Sequence, residues 1–481
     1  MRAVLDIINP RTGQPDHRIT PLESAAVTAL AQRLRAAQPG WAARPLADRL
    51  AVLGRLADAL TAHAPAITAA LTADTGRRQI SRVELQGVRG MVARWQQSAP
   101  ALIAAAEAAL VQTALPSVTA VTRLHPYPLV GIISPWNFPL TLAMIDAIPA
   151  LAAGCAVLIK PSEVAPRFIG PLMDAVADVP ELTDILALIE GDGETGAALV
   201  GAVDYLSFTG SVVTGRKVGE AAASAFIPAS LELGGKDPMI ILASADPARA
   251  AQTALRASVV ATGQACQSIE RVYVARAVAE PFIEALVKAA DAVRLNWPEI
   301  DAGELGPFIF GIQADIVASQ IEDARAKGAR VLTGGQIEDH GGKWMRPTVL
   351  VDVTPEMAVM QDETFGPVIP VTVFDTVEEA VALANAGVYG LSAAVLAGSL
   401  EEAEALATRL HAGAVSLNDG SLTSMIGEAE KTSFGLSGLG ASRMGASGLM
   451  RFFRRQALLR QSGAPMPLAV FAERADVVAA P

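Results

Sequence analysis

Groups that react readily are scarce in this chain of 481 residues. It has two cysteines and five histidines. Two cysteines cannot build a disulfide framework. They are not closely paired, and H-E-x-x-H does not occur, so no metal site is expected. His17, His63, His125, His340 and His411 stand in no motif, which leaves a Cys-His hydrolase without local support. Long apolar runs are missing as well. The longest, Ala147 to Ile159, contains Pro149 and Gly154 and is too short to span a bilayer comfortably, so no membrane partner is expected. Asp6 and Arg11 interrupt the N-terminal segment before a signal-like core forms, and a cytoplasmic enzyme is the simplest reading. The net charge of −11 disfavours non-specific nucleic-acid binding. Arg451, Arg454, Arg455 and Arg460 form a small basic patch expected on a solvated or subunit face.

What is present is a globular composition, 51% hydrophobic and 18% charged, on a chain long enough for two or three domains. Apolar residues at helical spacing predict helices over 21–35 and over Leu46 to Leu60, with Arg49, Arg55 and Asp58 facing water. After Pro116 the texture becomes β-rich. "CAVLIKPSE" reads as a buried strand ending at Lys160, followed by a helix over Gly170 to Ala177. "DYLSFTGS" reads as a strand and glycine turn leading into the helix "VVTGRKVGEAAA". This alternation predicts an α/β fold with a largely parallel sheet, whose ligands gather at the C-terminal ends of the strands. Lys160 and Gly210 fall at such ends. A second α/β unit begins near Gly234, with strands "MIILA", "RVYVA" and "ARVLTGG" and helices over Pro247 to Ala261 and Val278 to Val293. Glu338 to His340 read as an exposed turn, and "QALLRQSG" as a late strand or helix.

Few groups carry chemistry. Cys266, in "GQACQS", lies among small and polar neighbours and is either a nucleophile or a small buried hydrophobe. Cys155, inside "LAAGCAVLIK", reads as a small residue in an apolar strand. Glu232, in "LELGGKDP", is either a base against a cleft or a solvated carboxylate at a domain junction. "FTGSVVTG" is a glycine turn whose N–H groups can meet a pyrophosphate, though it does not have the G-x-G-x-x-G form. "PWNFP", Pro135 to Pro139, is either a rigid aromatic turn or a mount for the Asn137 amide.

These stretches together carry a resemblance to the NAD(P)-dependent aldehyde dehydrogenase superfamily. "PWNFP", "KPSE", "FTGS", "LELGGK", "GQACQSIER" and "ETFGPV" occur in the family's order over nearly the whole chain. The resemblance implies that Cys266 attacks the aldehyde carbon, that Asn137 and the Cys266 N–H form an oxyanion hole, and that Glu232 activates the water that hydrolyses the thioester. It places Lys160 and Glu163 at the adenosine ribose, Gly210 and Ser211 at the pyrophosphate, Glu363 at the nicotinamide ribose and Phe365 near the ring, with Trp136 shaping the site around the cofactor as a structural rather than a chemical residue. Glu163 favours NAD, with NADP as the alternative. Glu232 favours water over coenzyme A as acyl acceptor. A CoA-acylating or semialdehyde enzyme and a catalytically inactive NAD-binding protein are the competing readings.

The implied fold has a Rossmann-like cofactor domain in two parts, 1–118 and 132–233, and a catalytic domain over 234–434. A hairpin over 119–131 and a return segment over 435–481 supply a small β oligomerisation arm, and a homodimer or homotetramer is expected. An uncharged aliphatic or aromatic aldehyde is the preferred substrate. Two departures stand out. Val212 replaces a common threonine in the glycine turn, and Thr432 to Gly440, "TSFGLSGLG", shortens the loop at the substrate entrance.

Overall fold

The computed structural model describes residues 2–108 and 110–473. Its first sheet has six strands in the order Gly438–Leu439, Ala229–Glu232, Tyr205–Thr209, Leu129–Ser134, Ala156–Pro161 and Leu186–Leu188. All its pairings are parallel except that of the Gly438–Leu439 edge. All six residues of Ala156–Pro161 are buried, as a parallel strand covered on both faces requires. Helices Ser24–Ala42 and Pro139–Ala153 both pack on this strand and on Leu129–Ser134. Gly154 ends the second helix at φ +105°, a left-handed conformation that glycine adopts without steric cost.

The second sheet has seven strands in the order Arg330–Thr333, Thr348–Val351, Val368–Phe374, Ile269–Ala275, Asp237–Ile241, Ser392–Leu396 and Ala414–Leu417. Side chains alternate between two cores. Met239 and Ile241 enter one, and Ile240 the other, as the two-residue period of a strand dictates. A third, antiparallel sheet joins Leu110–Gln112, Val118–Pro126 and Phe453–Gln461, with Phe453 opposite Pro126 and Gln461 opposite Val118. The segment expected as one hairpin over 119–131 is therefore divided, because Leu129–Ser134 belongs to the six-stranded sheet. Phe453–Gln461 also settles "QALLRQSG" as strand.

The structure corrects four local expectations. Arg49 does not face water. It is buried and donates to the carbonyls of Ala42, Arg44 and Ala152, tying its helix to the end of Pro139–Ala153. Arg451, read as part of a solvated patch, is buried against Asp146. Glu338 to His340 are no free turn. Ile337–Asp339 pairs with Lys343–Met345, Glu338 meets Arg346 at 2.8 Å, and the His340 ring stacks on Trp297 at 5.0 Å. The helix expected to reach Ala261 stops at Val259; Val260 is extended, and Ala261 to Gly263 turn left-handed. Among the described residues no helix is long and apolar enough to cross a membrane.

Candidate active site

The strands of the first sheet bring several candidates to one edge. Glu232 ends its strand directly beside Thr209, whose own strand leads into Gly210. Lys160 stands near the end of Ala156–Pro161. Asn137 follows Leu129–Ser134 in the proline-stiffened turn and is buried. Two buried residues that the sequence did not single out fix this turn. Arg77 donates to the Asn137 carbonyl, and to that of Ala261 at 3.0 Å. Glu84 Oε2 accepts from the backbone N–H of Leu140 at 3.1 Å and of Thr141 at 3.0 Å, where the Pro139–Ala153 helix begins. The Asn137 Nδ2 donates to the Gln264 carbonyl at 3.0 Å, which ties the turn to the cysteine loop. An amide has two N–H groups, so one bond leaves Asn137 a second donor.

The cysteine loop is strained. Ala261, Thr262 and Gly263 take φ of 56°, 62° and 67° in succession. For alanine and threonine that region costs about 1–3 kcal/mol each unless the surroundings enforce it. The enforcement is visible. Arg77 holds the Ala261 carbonyl, Thr262 Oγ1 donates to the Gly306 carbonyl at 3.0 Å, and Gln264 Oε1 accepts from Ile309 N–H at 3.1 Å. Gly263 admits no side chain, since a Cβ there would lie 2.2 Å from the Gly366 carbonyl oxygen. Cys266 then emerges half-buried. Burial pushes its thiol up to about 12, opposed first by the Lys431 ammonium. Cys155 is wholly buried, its Sγ is 3.6 Å from the Phe452 carbonyl, and burial raises its thiol still further.

Glu363 lies against the Gly234–Gly235 pair. A Cβ on Gly234 would be 2.3 Å from a Glu363 carboxyl oxygen, and Gly235 N–H donates to Glu363 at 3.3 Å. Burial, and then repulsion from Glu270, push the Glu363 carboxyl up to about 8. Glu270 in turn anchors the "ETFGPV" segment. It accepts from Thr364 N–H and Phe365 N–H at 2.8 Å each, and from the buried Lys236 Nζ at 2.8 Å. Phe365 is held at φ 52° with its ring edge-on to Trp136 at a centroid distance of 5.4 Å. Glu270 and Lys236 both stood inside quoted motifs, but a strand-borne carboxylate and a lysine give no local sign of supporting a segment 94 and 128 residues away.

The remaining candidates form a cradle. Lys160 Nζ meets Glu163 at 3.1 Å, and Glu163 is partly exposed. Ser211 caps the helix Val212–Ser224, its Oγ accepting from Thr214 N–H at 3.3 Å. Gly210 N–H is already committed to the Glu232 carbonyl at 3.2 Å, so the turn offers the first helical amides rather than that of Gly210. Gly210 still needs its missing side chain, because a Cβ would lie 2.6 Å from the Phe208 ring. A ribose diol suits the Lys160–Glu163 pair, and a phosphate suits an open helix start, so the residues fit a nicotinamide dinucleotide. The G-x-G-x-x-G pattern missing from that turn does occur, at Gly191 to Gly196, and the sequence reading passed over it. There the helix start is already filled. Asp192 accepts from Glu194 N–H and Thr195 N–H, and Arg2 donates to both Asp192 and Glu194. Among the described residues no cluster of three or more His, Cys, Asp or Glu is placed to hold a metal.

A thiol loop, a side-chain amide and a carboxylate gathered on an α/β frame with a dinucleotide cradle define a class of oxidoreductase that works through a cysteine. The comparisons with known proteins make the class specific. The profile of the Aldehyde dehydrogenase family matches residues 2–458. The solved structure of the "putative aldehyde dehydrogenase PutA" of Anabaena variabilis is 48% identical, with a TM-score of 0.94 over 97% of this chain and 99% of that one. Lactaldehyde dehydrogenase from Escherichia coli is 30% identical, with a TM-score of 0.90 over 96% of both chains. By sequence, a Mycolicibacterium smegmatis protein named "putative succinate-semialdehyde dehydrogenase, NADP(+)" is 38% identical over 89% of this chain and 83% of that one. The chain belongs to the aldehyde dehydrogenase family, with that family's Rossmann-like and catalytic α/β units and small β arm. It is an NAD(P)-dependent dehydrogenase that oxidises aldehydes through a cysteine.

Proposed function

We propose that the enzyme converts an uncharged aldehyde to its carboxylic acid with NAD as acceptor, Cys266 as nucleophile and Glu232 as the base for hydrolysis. One observation carries this reading: the Asn137 amide is bonded to the loop that presents Cys266, while Glu232 closes a strand of the adjoining sheet. The Cys266 thiol releases its proton to solvent, and the sulfur adds to the carbonyl carbon as a thiolate. The C=O π pair moves onto oxygen, where the free Nδ2–H of Asn137 and the Cys266 N–H receive it, a contribution worth about 3 kcal/mol per donor at the transition state. The bound nicotinamide supplies an acceptor for the hydride that the aldehyde carbon must lose. What then remains on Cys266 is a thioester. Glu232 takes a proton from water, the hydroxyl oxygen bonds to the acyl carbon, the C–S bond breaks, and the thiolate returns as the acid departs.

In this reading 1–118 and 132–233 serve the cofactor, 234–434 the chemistry, and the three-stranded sheet the assembly of a homodimer or homotetramer in the cytoplasm. Exposed Leu110, Val111 and Leu459 on that sheet support the last assignment. NAD is favoured because a 2′-phosphate would meet the Glu163 carboxylate. The name of the mycobacterial relative, with succinate semialdehyde and NADP(+), supplies the contrary case.

The test is nicotinamide reduction with acetaldehyde, a long-chain aldehyde, benzaldehyde and succinic semialdehyde, each with NAD or NADP, with and without coenzyme A. The account expects CoA-independent turnover with NAD on the uncharged aldehydes. Turnover only with CoA would overturn the role of Glu232. A strong preference for succinic semialdehyde or NADP would overturn the substrate or cofactor assignment and leave the thiol chemistry standing.

A further inference from the structure

Residues 431–440 are fastened to the first sheet and to Tyr389–Gly390, just ahead of the Ser392–Leu396 strand of the second. Phe434–Gly435 pairs with Tyr389–Gly390, Gly438 pairs with Glu232, and Leu233 N–H donates to the Ser437 carbonyl at 2.9 Å. Two side chains of this segment turn toward Glu232. Ser433 Oγ is 3.4 Å from Glu232 Oε2, and Lys431 Nζ is 3.8 Å from the same oxygen. The Lys431 side chain is only 3% exposed, and its Nζ has no hydrogen-bond partner. A buried ammonium with no hydrogen bond is costly, and its burial is explained where charge forms beside it.

We propose that Lys431 is a positioning residue for the reaction: its ammonium holds the Glu232 carboxylate and offsets the negative charge that forms on Cys266. The inference rests on the reading of Cys266 as the nucleophile. The opposition of Lys431 to the burial of the Cys266 thiol agrees with it. The other charged groups facing that thiol are Glu363 and Asp237, which raise it, and Arg443, which lowers it. Arg443 is shared with Asp146, on which Arg451 also closes, so its charge is committed away from the site, whereas the ion partner of Lys431 is Glu232, inside it. Lys431 does not read as a receptor for a substrate carboxylate, because that anion would have to settle beside Glu232.

The experiment is alkylation by iodoacetamide of the cofactor-free enzyme over about pH 7–10, with the labelled cysteine located by mass spectrometry. Lys431→Met and Lys431→Gln both remove the charge with little change in length, and the reading is taken from whichever keeps the native circular dichroism spectrum. The Cys266 rate at a given pH is expected to fall about tenfold, the effect of roughly one unit in a thiol facing a nearby cation. Lys431→Arg should restore most of it. A rate–pH curve that stays in place in the neutral variants would overturn the proposal, and a merely structural lysine would change unfolding alone. A selective rise in KM for succinic semialdehyde with an unmoved curve would also overturn it, in favour of anion recognition. Cys266→Ala separates the two levels: if it still turns over, the nucleophile assignment has failed, and if it is inactive while Lys431→Met alkylates normally, only the lysine assignment has.

Discussion

Cys155 is wholly buried and Cys266 half-buried, and their surroundings differ in nearly every other respect. Cys155 follows a helix end made by glycine and lies among apolar side chains of the first sheet. The only left-handed residue beside it is Gly154, which takes that conformation without strain, and its sulfur meets the Phe452 carbonyl. Cys266 follows three left-handed residues, two of them not glycine. Arg77, Asn137, Gln264 and Thr262 all bond within that loop or to it. Burial raises both thiols, but only Cys266 faces a lysine that opposes the rise as the first counter-effect. Burial alone therefore does not set the two thiols apart. Polar groups converging on a strained, over-determined backbone do, and that is the ground for proposing Cys266 as the nucleophile.

The contrast breaks most plainly by substitution of the two thiols. Cys266→Ala is expected to lower aldehyde oxidation by about four orders of magnitude or more, the scale seen when a nucleophile is removed from a preorganised site. Cys155→Ala should keep its turnover and lose about 1–2 kcal/mol of stability through the small cavity it leaves. Steady-state rates and urea unfolding check both.

The strained loop gives the next largest effect. Gly263→Ala forces a Cβ against the Gly366 carbonyl at φ +67° and should cost about 3 kcal/mol or more, with activity falling in parallel. Gly87→Ala is the control. It lies inside the Arg78–Ala108 helix with no atom within 4 Å of a built Cβ, and should gain about 0.5–1 kcal/mol. Equal effects at the two glycines would contradict the account of the loop.

Arg77→Met tests whether the link between turn and loop positions the site. It removes donors to the carbonyls of Asn137 and Ala261, and kcat should fall about 10- to 100-fold with a smaller change in KM. The same factor in KM alone would make Arg77 a binding residue.

The smallest expected effect is in pH dependence. Burial pushes Glu84 up to about 7, although the Leu140 and Thr141 amides and Arg77 oppose the rise, and its Oε1 has no hydrogen-bond partner. In the unfolded chain a glutamate titrates near about 4.3. Between those values the folded state holds a proton that the unfolded state has lost. Its contribution is full at low pH and is lost as pH rises through about 7. Melting temperature should therefore decline from about pH 5 to about pH 7.5 more steeply in the wild type than in Glu84→Gln. Parallel curves would show that Glu84 is ionised throughout.

Much of this arrangement was legible in the sequence. Strands ending at Lys160 and Thr209 announce themselves by short apolar runs closed by proline or glycine, and the order of the motifs gives the family. The side chains that aim the site were not. Arg77 lies in the short link before the Arg78–Ala108 helix and Glu84 on that helix, whose pattern speaks only of packing, and their partners lie fifty or more residues away. Arg49 looked solvated because a charged residue on an amphipathic helix usually is, and nothing local shows three waiting carbonyls. Ala261 and Thr262 could not be read as left-handed, since neither residue favours that region. Lys431 stood one residue before a stretch noted only as short.

The central claim is that Cys266 carries the acyl group and that Glu232 releases it. The most direct measurement is mass spectrometry of Glu232→Gln after incubation with NAD and an aldehyde that the wild type oxidises. The account predicts a stable acyl adduct on the peptide that contains Cys266, formed with a single burst of reduced nicotinamide. An adduct on Cys155, or no adduct while the variant turns over at the wild-type rate, would contradict it.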